Sequence, residues 1–216
     1  MKRNVELFDR NWERYDEWYD RHDAEYQLEM EAVGRALPGS GLGLEIGAGT
    51  GRFAAPLGVQ VGLEPSPRMA QLGRRRGVWM TLGFGERLPF RDGVFDFVLM
   101  VVTICFVDDA QAVIRESARV LKPGGKVIIG FIDRDSELGT AYLRRAAQSD
   151  FYRVARFYTT GEVADMLKRQ GLGEISYLQT LFPGDARKQD IAEGFGEGAF
   201  VVAAAKNDTK GTDDAG

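Results

Sequence analysis

The chain reads as an α/β protein, with a parallel sheet covered by helices on both faces. Three observations predict this. Short apolar runs at residues 42–46, 59–64, 95–104 and 126–132 alternate with stretches of helical periodicity. Glycine and proline punctuate the boundaries between them. Residues 43–51 read Gly-Leu-Glu-Ile-Gly-Ala-Gly-Thr-Gly, an apolar run that breaks directly into a glycine-spaced loop. In such sheets a ligand lies at the carboxyl ends of the strands, near the point where strand order reverses.

Taken in order, residues 5–36 carry Phe8, Trp12, Tyr15, Trp18, Tyr19 and Tyr26 among many charges. Their three- and four-residue spacings place aromatics on one helical face, a helical cap over residues 1–38 closed by Pro38-Gly39-Ser40-Gly41. The first two strands are expected at 42–46 and 59–64. Pro67 suits a first helical position, and that helix runs to Arg76 and stops at Gly77. Its end, Arg74-Arg75-Arg76, suits the helix dipole and is expected to be solvated. A third strand follows at 78–82. Residues 95–104 are nearly all apolar, as a strand buried on both faces should be. A helix over 109–121 ends at Lys122-Pro123-Gly124-Gly125, before a strand at 126–132. A helix over 160–170 ended by Gly171 precedes strands at 175–181 and 199–204.

Three segments fall outside this alternation. Residues 133–158 mix Tyr142, Phe151, Tyr152, Phe157 and Tyr158 with Arg144, Arg145, Arg153 and Arg156. They read either as a lid with an anion-seeking rim or as a packed helix with a charged outer face. Residues 183–198 are glycine-rich and read as a gate or as a connector. Residues 206–216 have almost no apolar content and are expected to be a disordered tail. Residues 1–205 then form a single domain, with the core at 39–205.

Composition narrows the function. The chain has 216 residues, 44% hydrophobic and 28% charged, which suits one soluble domain. A net charge of -4 supplies no basic field for nucleic acid. The single cysteine, Cys105, excludes an internal disulfide and fits a reducing compartment. With one histidine beside it, a metal site within this chain is not expected. The start, Met1-Lys2-Arg3-Asn4-Val5-Glu6, is not a secretory signal, and no apolar run approaches the roughly 20 residues of a membrane span. A cytoplasmic location without membrane partner is expected. Oligomeric state is not legible.

The glycine loop lets main chain approach a ligand closely. Glu64, at the end of the next apolar run, can accept hydrogen bonds from a ribose. A dinucleotide site needs G-x-G-x-x-G/A, but here the sixth position is Arg52 and the third glycine comes early, at Gly51. Glu64 stands 17 residues beyond Gly47, short of the roughly 20 of the dinucleotide fingerprint. A nicotinamide dehydrogenase is thereby disfavoured. The G-x-G-x-G spacing suits S-adenosylmethionine, whose zwitterionic methionine end needs close backbone but no pyrophosphate cradle.

The chain resembles the class I, Rossmann-like S-adenosylmethionine-dependent methyltransferases, in particular the small-molecule group called type 11. The resemblance rests on Leu44-Glu45-Ile46-Gly47-Ala48-Gly49-Thr50-Gly51, Gly62-Leu63-Glu64-Pro65-Ser66 with Met69, and Gly85-Glu86-Arg87-Leu88-Pro89-Phe90. It continues in Phe95-Asp96-Phe97-Val98 and Val120-Leu121-Lys122-Pro123-Gly124-Gly125. Residues 103–109 and 194–200 look like those of an uncharacterised bacterial and archaeal subgroup. The resemblance implies a three-layer sandwich with a seven-stranded, mostly parallel sheet and an antiparallel last strand. It implies S-adenosylmethionine as cofactor and S-adenosylhomocysteine as product. By the same resemblance, Gly47, Ala48, Gly49 and Gly51 meet the methionine moiety, with Glu45 near its ammonium through water. Glu64 would accept from both ribose hydroxyls and Pro65 would pack on adenine. The Gly85 N–H would meet an adenine nitrogen, flanked by Phe84 and Glu86, and Met100 would line the cofactor. Two departures stand out: Phe84 replaces a common aspartate, and Cys105-Phe106 replaces a frequent His-His pair.

Methyl transfer from a sulfonium is an in-line displacement, so holding reacting atoms about 3–3.5 Å apart supplies much of the catalysis. No signature marks a catalytic residue. Weak candidates are Tyr15 and Tyr19 on the cap, Thr103 after the fourth strand and Asp133 after the fifth; packing or solvated-loop roles compete for each. Trp18 reads as packing and His22 as a surface residue, and Cys105 lacks a neighbouring base in sequence. The leading reading is a methyltransferase for a small molecule. A non-catalytic S-adenosylmethionine-binding regulatory module is the alternative.

Overall fold

A computed structural model describes residues 2–145, 149–184 and 190–208. The first strands and their crossovers follow the predicted order: β1 (Gly43–Ile46), β2 (Val61–Glu64), α4 (Pro67–Arg75), β3 (Trp79–Leu82), β4 (Phe95–Val101), α5 (Ala110–Val120) and β5 (Leu121–Ile132). Then come α6 (Glu137–Arg145), a 3-10 turn at Tyr152–Val154, α7 (Thr160–Lys168), β6 (Leu172–Thr180), β7 (Ala192–Glu193) and β8 (Phe200–Asn207). The strand order is β3-β2-β1-β4-β5-β8-β6-β7. β1 pairs in parallel with both β2 and β4, so the sheet grows outward in opposite directions from β1. That reversal lies at the glycine loop, where a ligand crevice opens.

The sheet has eight strands where the resemblance implied seven. The extra one, β7, is a two-residue strand pairing antiparallel with the outer edge of β6. β8 is antiparallel to both β5 and β6, as expected of the last strand. It runs to Asn207, two residues into the expected tail, because Asn207 is buried and its side-chain amide donates to Lys122 O at 3.3 Å. Residues 209–216 lie outside the described residues.

Alternation along the strands splits the core into two layers. Leu44, Ile46, Val98, Met100, Val127 and Ile129 face α5 and α7, packing with Val113, Ile114, Val163 and Leu167. Phe97, Leu99, Ile128, Phe200 and Val202 face the opposite layer, with Ala32, Val33 and Ala70. Helix starts are capped as their sequences suggest: Ser66 accepts from Met69 N and Asp109 from Ala112 N. Thr159 and Glu162 form a reciprocal capping box on α7.

The N-terminal cap is three helices rather than one periodic face: α1 (Lys2–Arg10), α2 (Trp12–Arg21) and α3 (Asp23–Ala36). The breaks fall at Asn11 and His22. Asn11 Nδ2 donates to Leu7 O at 2.8 Å, and His22 Nδ1 lies 2.9 Å from Trp18 O, side-chain bonds that compete with helix continuation. Among the described residues no helix is long and apolar enough to cross a membrane, and no group of acids, histidine and cysteine is placed to hold a metal ion.

Candidate active site

The loop after β1 is held from below. Gly47 N and Ala48 N both donate to Leu63 O, at 2.8 and 3.1 Å, so the turn is pinned to β2. Gly47 has φ +69, and a Cβ there would lie 2.3 Å from Thr103 Cγ2. Both the left-handed backbone and the close approach of β4's loop exclude a side chain. Gly51 packs on the α4 backbone: a Cβ there would come within 3.2 Å of Gly73 Cα. Main chain, bare of side chains, therefore faces a cavity of about 330 Å³.

Glu64 closes the other side. Its Oε2 accepts from Gly49 N at 2.9 Å and its Oε1 from Ser66 N at 2.8 Å. Each oxygen keeps a further lone pair. Burial pushes this carboxyl up to about 7, a rise the two backbone bonds oppose and the nearby Asp9 charge reinforces. Glu45 lies behind the loop, buried to 2% exposure, with Ala54 N–H bonded to its carboxyl. Its Oε2 has no hydrogen-bond partner among the described residues, and burial raises its pKa well above the usual carboxylate range.

The cap folds over this loop and is bolted to it. Asp16 of α2 accepts from Thr50 Oγ1 at 2.5 Å, from Arg52 Nη2 at 2.9 Å and from Arg76 Nη2 at 2.7 Å. These cations hold its carboxyl well below the usual range. Arg52 also pairs with Asp20 at 2.7 Å, and its carbonyl accepts from Tyr26 OH. The residue that argued against a dinucleotide thus joins lid to loop. Arg76 is likewise half-buried in this network, contrary to the expectation of a solvated helix end; Arg74 and Arg75 are exposed. Asp9 of α1 accepts from Ser66 Oγ at 2.6 Å and Arg68 N at 3.1 Å, docking α1 on the start of α4.

Of the predicted site residues, Gly47, Gly49, Glu64, Pro65, Phe84, Gly85, Glu86, Tyr15, Tyr19 and Thr103 line the cavity. Glu86 Oε1 also accepts from Asp108 N at 3.0 Å, linking the loops after β3 and β4. Tyr15 and Tyr19 share a hydroxyl–hydroxyl bond at 2.8 Å, and burial raises both phenols. Thr103 Oγ1 lies 3.3 Å from Gly47 O, supporting the loop. Val102 just before it has φ +51, a strained value for a β-branched residue, of the kind found at functional turns.

Ala48, Glu45, Gly51, Met100 and Asp133 are not on the cavity wall. Ala48 and Gly51 belong to the loop but turn into the packing around it. Met100 is fully buried in the layer facing α5, and the cavity wall begins only past the end of its strand, at Val102 and Thr103. Asp133 is engaged by Thr160 N at 3.1 Å, Thr160 Oγ1 at 2.5 Å and Asp135 N at 2.9 Å, so it ties β5 to α7. His22 stacks on Trp18 at 4.4 Å, outside the cavity, whereas Trp18 lines it. Cys105 also lines it, its thiol pushed up to about 12 by burial.

In the 133–158 segment, Tyr142, Phe151, Tyr152 and Phe157 line the cavity while Arg144, Arg153 and Arg156 are exposed. Its aromatic side lines the cavity and these three arginines face outward; 146–148 and the Arg145 side chain lie outside the described residues. The described part of 183–198 touches the cavity nowhere and pairs with β6 instead. Sequence reading missed Glu29, Asp9 and Asp16. Glu29 carried a signal: it shares the apolar stripe of α3 with Tyr26 and Val33.

Comparison with known proteins accounts for this geometry. A family model described as "Methyltransferase domain" matches residues 44–129. An uncharacterised protein of Methanocaldococcus jannaschii is 43% identical over 204 residues, covering 94% of this chain and 99% of its own. A crystal structure from Thermotoga maritima, described as a SAM-dependent methyltransferase, possible histamine N-methyltransferase, superposes with a TM-score of 0.90 at 43% identity, covering 94% of this chain and 99% of that one. This chain belongs to the S-adenosylmethionine-dependent methyltransferases. A demethylmenaquinone methyltransferase of Tropheryma whipplei is 41% identical over 95 residues, 40% of this chain and 39% of its own. The residues present fit the family's cofactor: an orphaned buried oxygen on Glu45, spare lone pairs on Glu64 and a side-chain-free loop.

Proposed function

We propose that this methyltransferase acts on a small molecule by in-line displacement, within the cavity between the glycine loop, the cap and the 133–158 segment. The observation that carries the reading is Glu64: a buried carboxyl, held by backbone donors from Gly49 and Ser66, lining the same cavity as the bare main chain of the glycine loop. In this reading Glu64 grips both ribose hydroxyls, and Gly47 to Gly49 hold the methionine end. Pro65 and Phe84 bracket adenine by stacking and shape, since Phe84 offers no acceptor. When bound, S-adenosylmethionine supplies an electrophilic methyl group on a cationic sulfur. Tyr15 and Tyr19 cover the loop and exclude water; with raised pKa values they serve as hydrogen-bond donors rather than bases. Catalysis then rests mainly on alignment.

Two relatives suggest substrates of different chemistry, an amine and a quinone ring. The Thermotoga structure matches through the cap and the 133–158 segment, whereas the demethylmenaquinone enzyme matches less than half of this chain. The substrate side therefore has more in common with the former. The test is thermal stabilisation by S-adenosylhomocysteine, followed by transfer of labelled methyl from S-adenosylmethionine into a metabolite extract. No stabilisation at excess ligand would sink the cofactor reading. Stabilisation without any transfer would favour the regulatory alternative.

A further inference from the structure

One buried acid lining the cavity is not among the residues assigned above to the cofactor. Glu29 of α3 lines the cavity at 4% exposure. Its ionisation is perturbed by burial and by Glu25, with no hydrogen-bond donor contributing. The two arginines on the cavity wall are engaged elsewhere: Arg14 pairs with Asp150 at 3.2 Å, and Arg21 bonds Glu17 O at 3.4 Å. A buried carboxyl without a partner is costly, and where one persists in a cleft it marks a ligand contact.

Its surroundings say which ligand. Glu29 stands within electrostatic reach of both Tyr19 and Tyr152. Tyr152 stacks with Tyr142 at 4.3 Å and lies 6.1 Å from Phe157, while Trp18 meets Tyr19 edge-on at 5.3 Å. All of these rings line the same cavity. Aromatic faces carry negative potential and attract cations. Glu25 on the same helix adds to that potential. A carboxyl sharing one cavity with these rings, with a second acid on its own helix, is complementary to a positive charge and repels an anion.

We propose that the cavity binds a small molecule bearing a cationic nitrogen, seated on the Glu29 carboxylate between the rings of Trp18, Tyr19, Tyr152 and Phe157. Glu29 is then the residue that selects the substrate class. This rests on the methyltransferase reading of the same cavity. In the free protein burial pushes the Glu29 carboxyl up to about 8, so it is neutral at pH 7. An arriving ammonium restores the carboxylate and expels its proton. The titratable and charged groups around it are Glu25 from its own helix, Tyr19 from α2 and Tyr152 from the 133–158 segment, with Arg14 and Arg21 on the cavity wall.

The test uses the full chain saturated with S-adenosylhomocysteine. Phenethylamine, benzylamine and tetramethylammonium serve as cationic probes and 2-phenylethanol as a neutral isostere of the first. Calorimetry at about pH 6.5, in two buffers of different ionisation enthalpy, reads both affinity and proton release. The amine should bind about tenfold tighter than the alcohol, or more, because a charged hydrogen bond is at stake. Roughly one proton should leave on binding, as carboxyl becomes carboxylate. Glu29→Gln should abolish the preference and the proton release, while S-adenosylhomocysteine affinity and melting temperature hold or rise. Equal binding of amine and alcohol, no binding of any cationic probe at millimolar concentration, or a preference that survives Glu29→Gln would each overturn the inference. So would a Glu29→Gln variant that loses cofactor affinity, since Glu29 would then serve the cofactor's own ammonium. Failure of S-adenosylhomocysteine to stabilise the wild type is a separate result: it removes the cofactor reading, and this inference with it.

Discussion

Replacing Glu64 with glutamine alters only one end of a side chain, yet two donors compete for the groups it changes. In the wild type, Gly49 N reaches Oε2 at 2.9 Å and Ser66 N reaches Oε1 at 2.8 Å. An amide offers one acceptor oxygen, so its NH₂ must face one of these N–H groups, donor against donor. Leaving a buried donor unmatched costs about 1–3 kcal/mol of stability. On the role proposed for Glu64, the lost acceptor also removes one charge-assisted bond to ribose, about 1.5–3 kcal/mol, or roughly ten- to a hundredfold in affinity. A pH signature accompanies this. The carboxyl is raised from the ordinary 4.5 to about 7 by burial, with Asp9 adding to the rise. Its neutral form in the free protein contributes stability that is fully present below pH 4.5 and lost as pH rises through about 7. The cofactor needs the carboxylate, so affinity should fall about tenfold for each pH unit below 7. Titration calorimetry of S-adenosylhomocysteine from about pH 5.5 to 8 reads both effects. A wild-type Kd that is flat across that range, or a Glu64→Gln variant with wild-type affinity, would refute the reasoning.

Three further outcomes are expected. Asp16→Ala leaves Arg52 and Arg76 short of their shared acceptor; with these side chains 14–27% exposed, the loss should be about 2–4 kcal/mol, or roughly 5–12 °C in Tm by calorimetry. A fall of less than about 2 °C would show the network to be screened by solvent. Because its carboxyl is held below the usual range, the Asp16 contribution should be present above pH 3.8 and disappear as pH drops further, which acid titration of the variant against wild type checks. Gly47→Ala should cost about 2–3 kcal/mol and abolish S-adenosylhomocysteine binding, with part of the stability recovered by Thr103→Ala, since Thr103 Cγ2 stands 2.3 Å from the added Cβ. Glu29→Gln should melt like the wild type near pH 4.5 and be more stable by about 2–4 kcal/mol above pH 8, where the native acid must bury a charge; equal stability at high pH would mean that Glu29 is solvated.

The elements carrying the strongest periodicity and punctuation were legible to within a few residues. The helix at Pro67–Arg75, stopped before Gly77, and the strand at Phe95–Val101 are local products of proline, glycine and buried apolar runs. So were Glu64 and the glycine loop, since a tight left-handed turn after a strand leaves little choice of residue. The lining role of Met100 failed for a definite reason. An apolar run buried on both faces does not show where along it the strand ends, and the cavity wall begins only past that end, at Val102 and Thr103. Asp133 failed because its three partners come from Thr160 and Asp135, brought together by the α7 capping turn.

What the sequence alone determined about this protein is the succession of its strands and helices, its cofactor class and the glycine loop after β1, because each is written in residues near one another along the chain. What only the tertiary structure decided is the lid. Asp16 meets Arg52 and Arg76 across 36 and 60 residues, and Glu29 meets Tyr152 only because α3 and the 133–158 segment converge on one cavity. Charges and aromatics on amphipathic helices look alike whether they face water or a ligand. Only the packing of those helices over the sheet removes the water and leaves Glu29 without a partner.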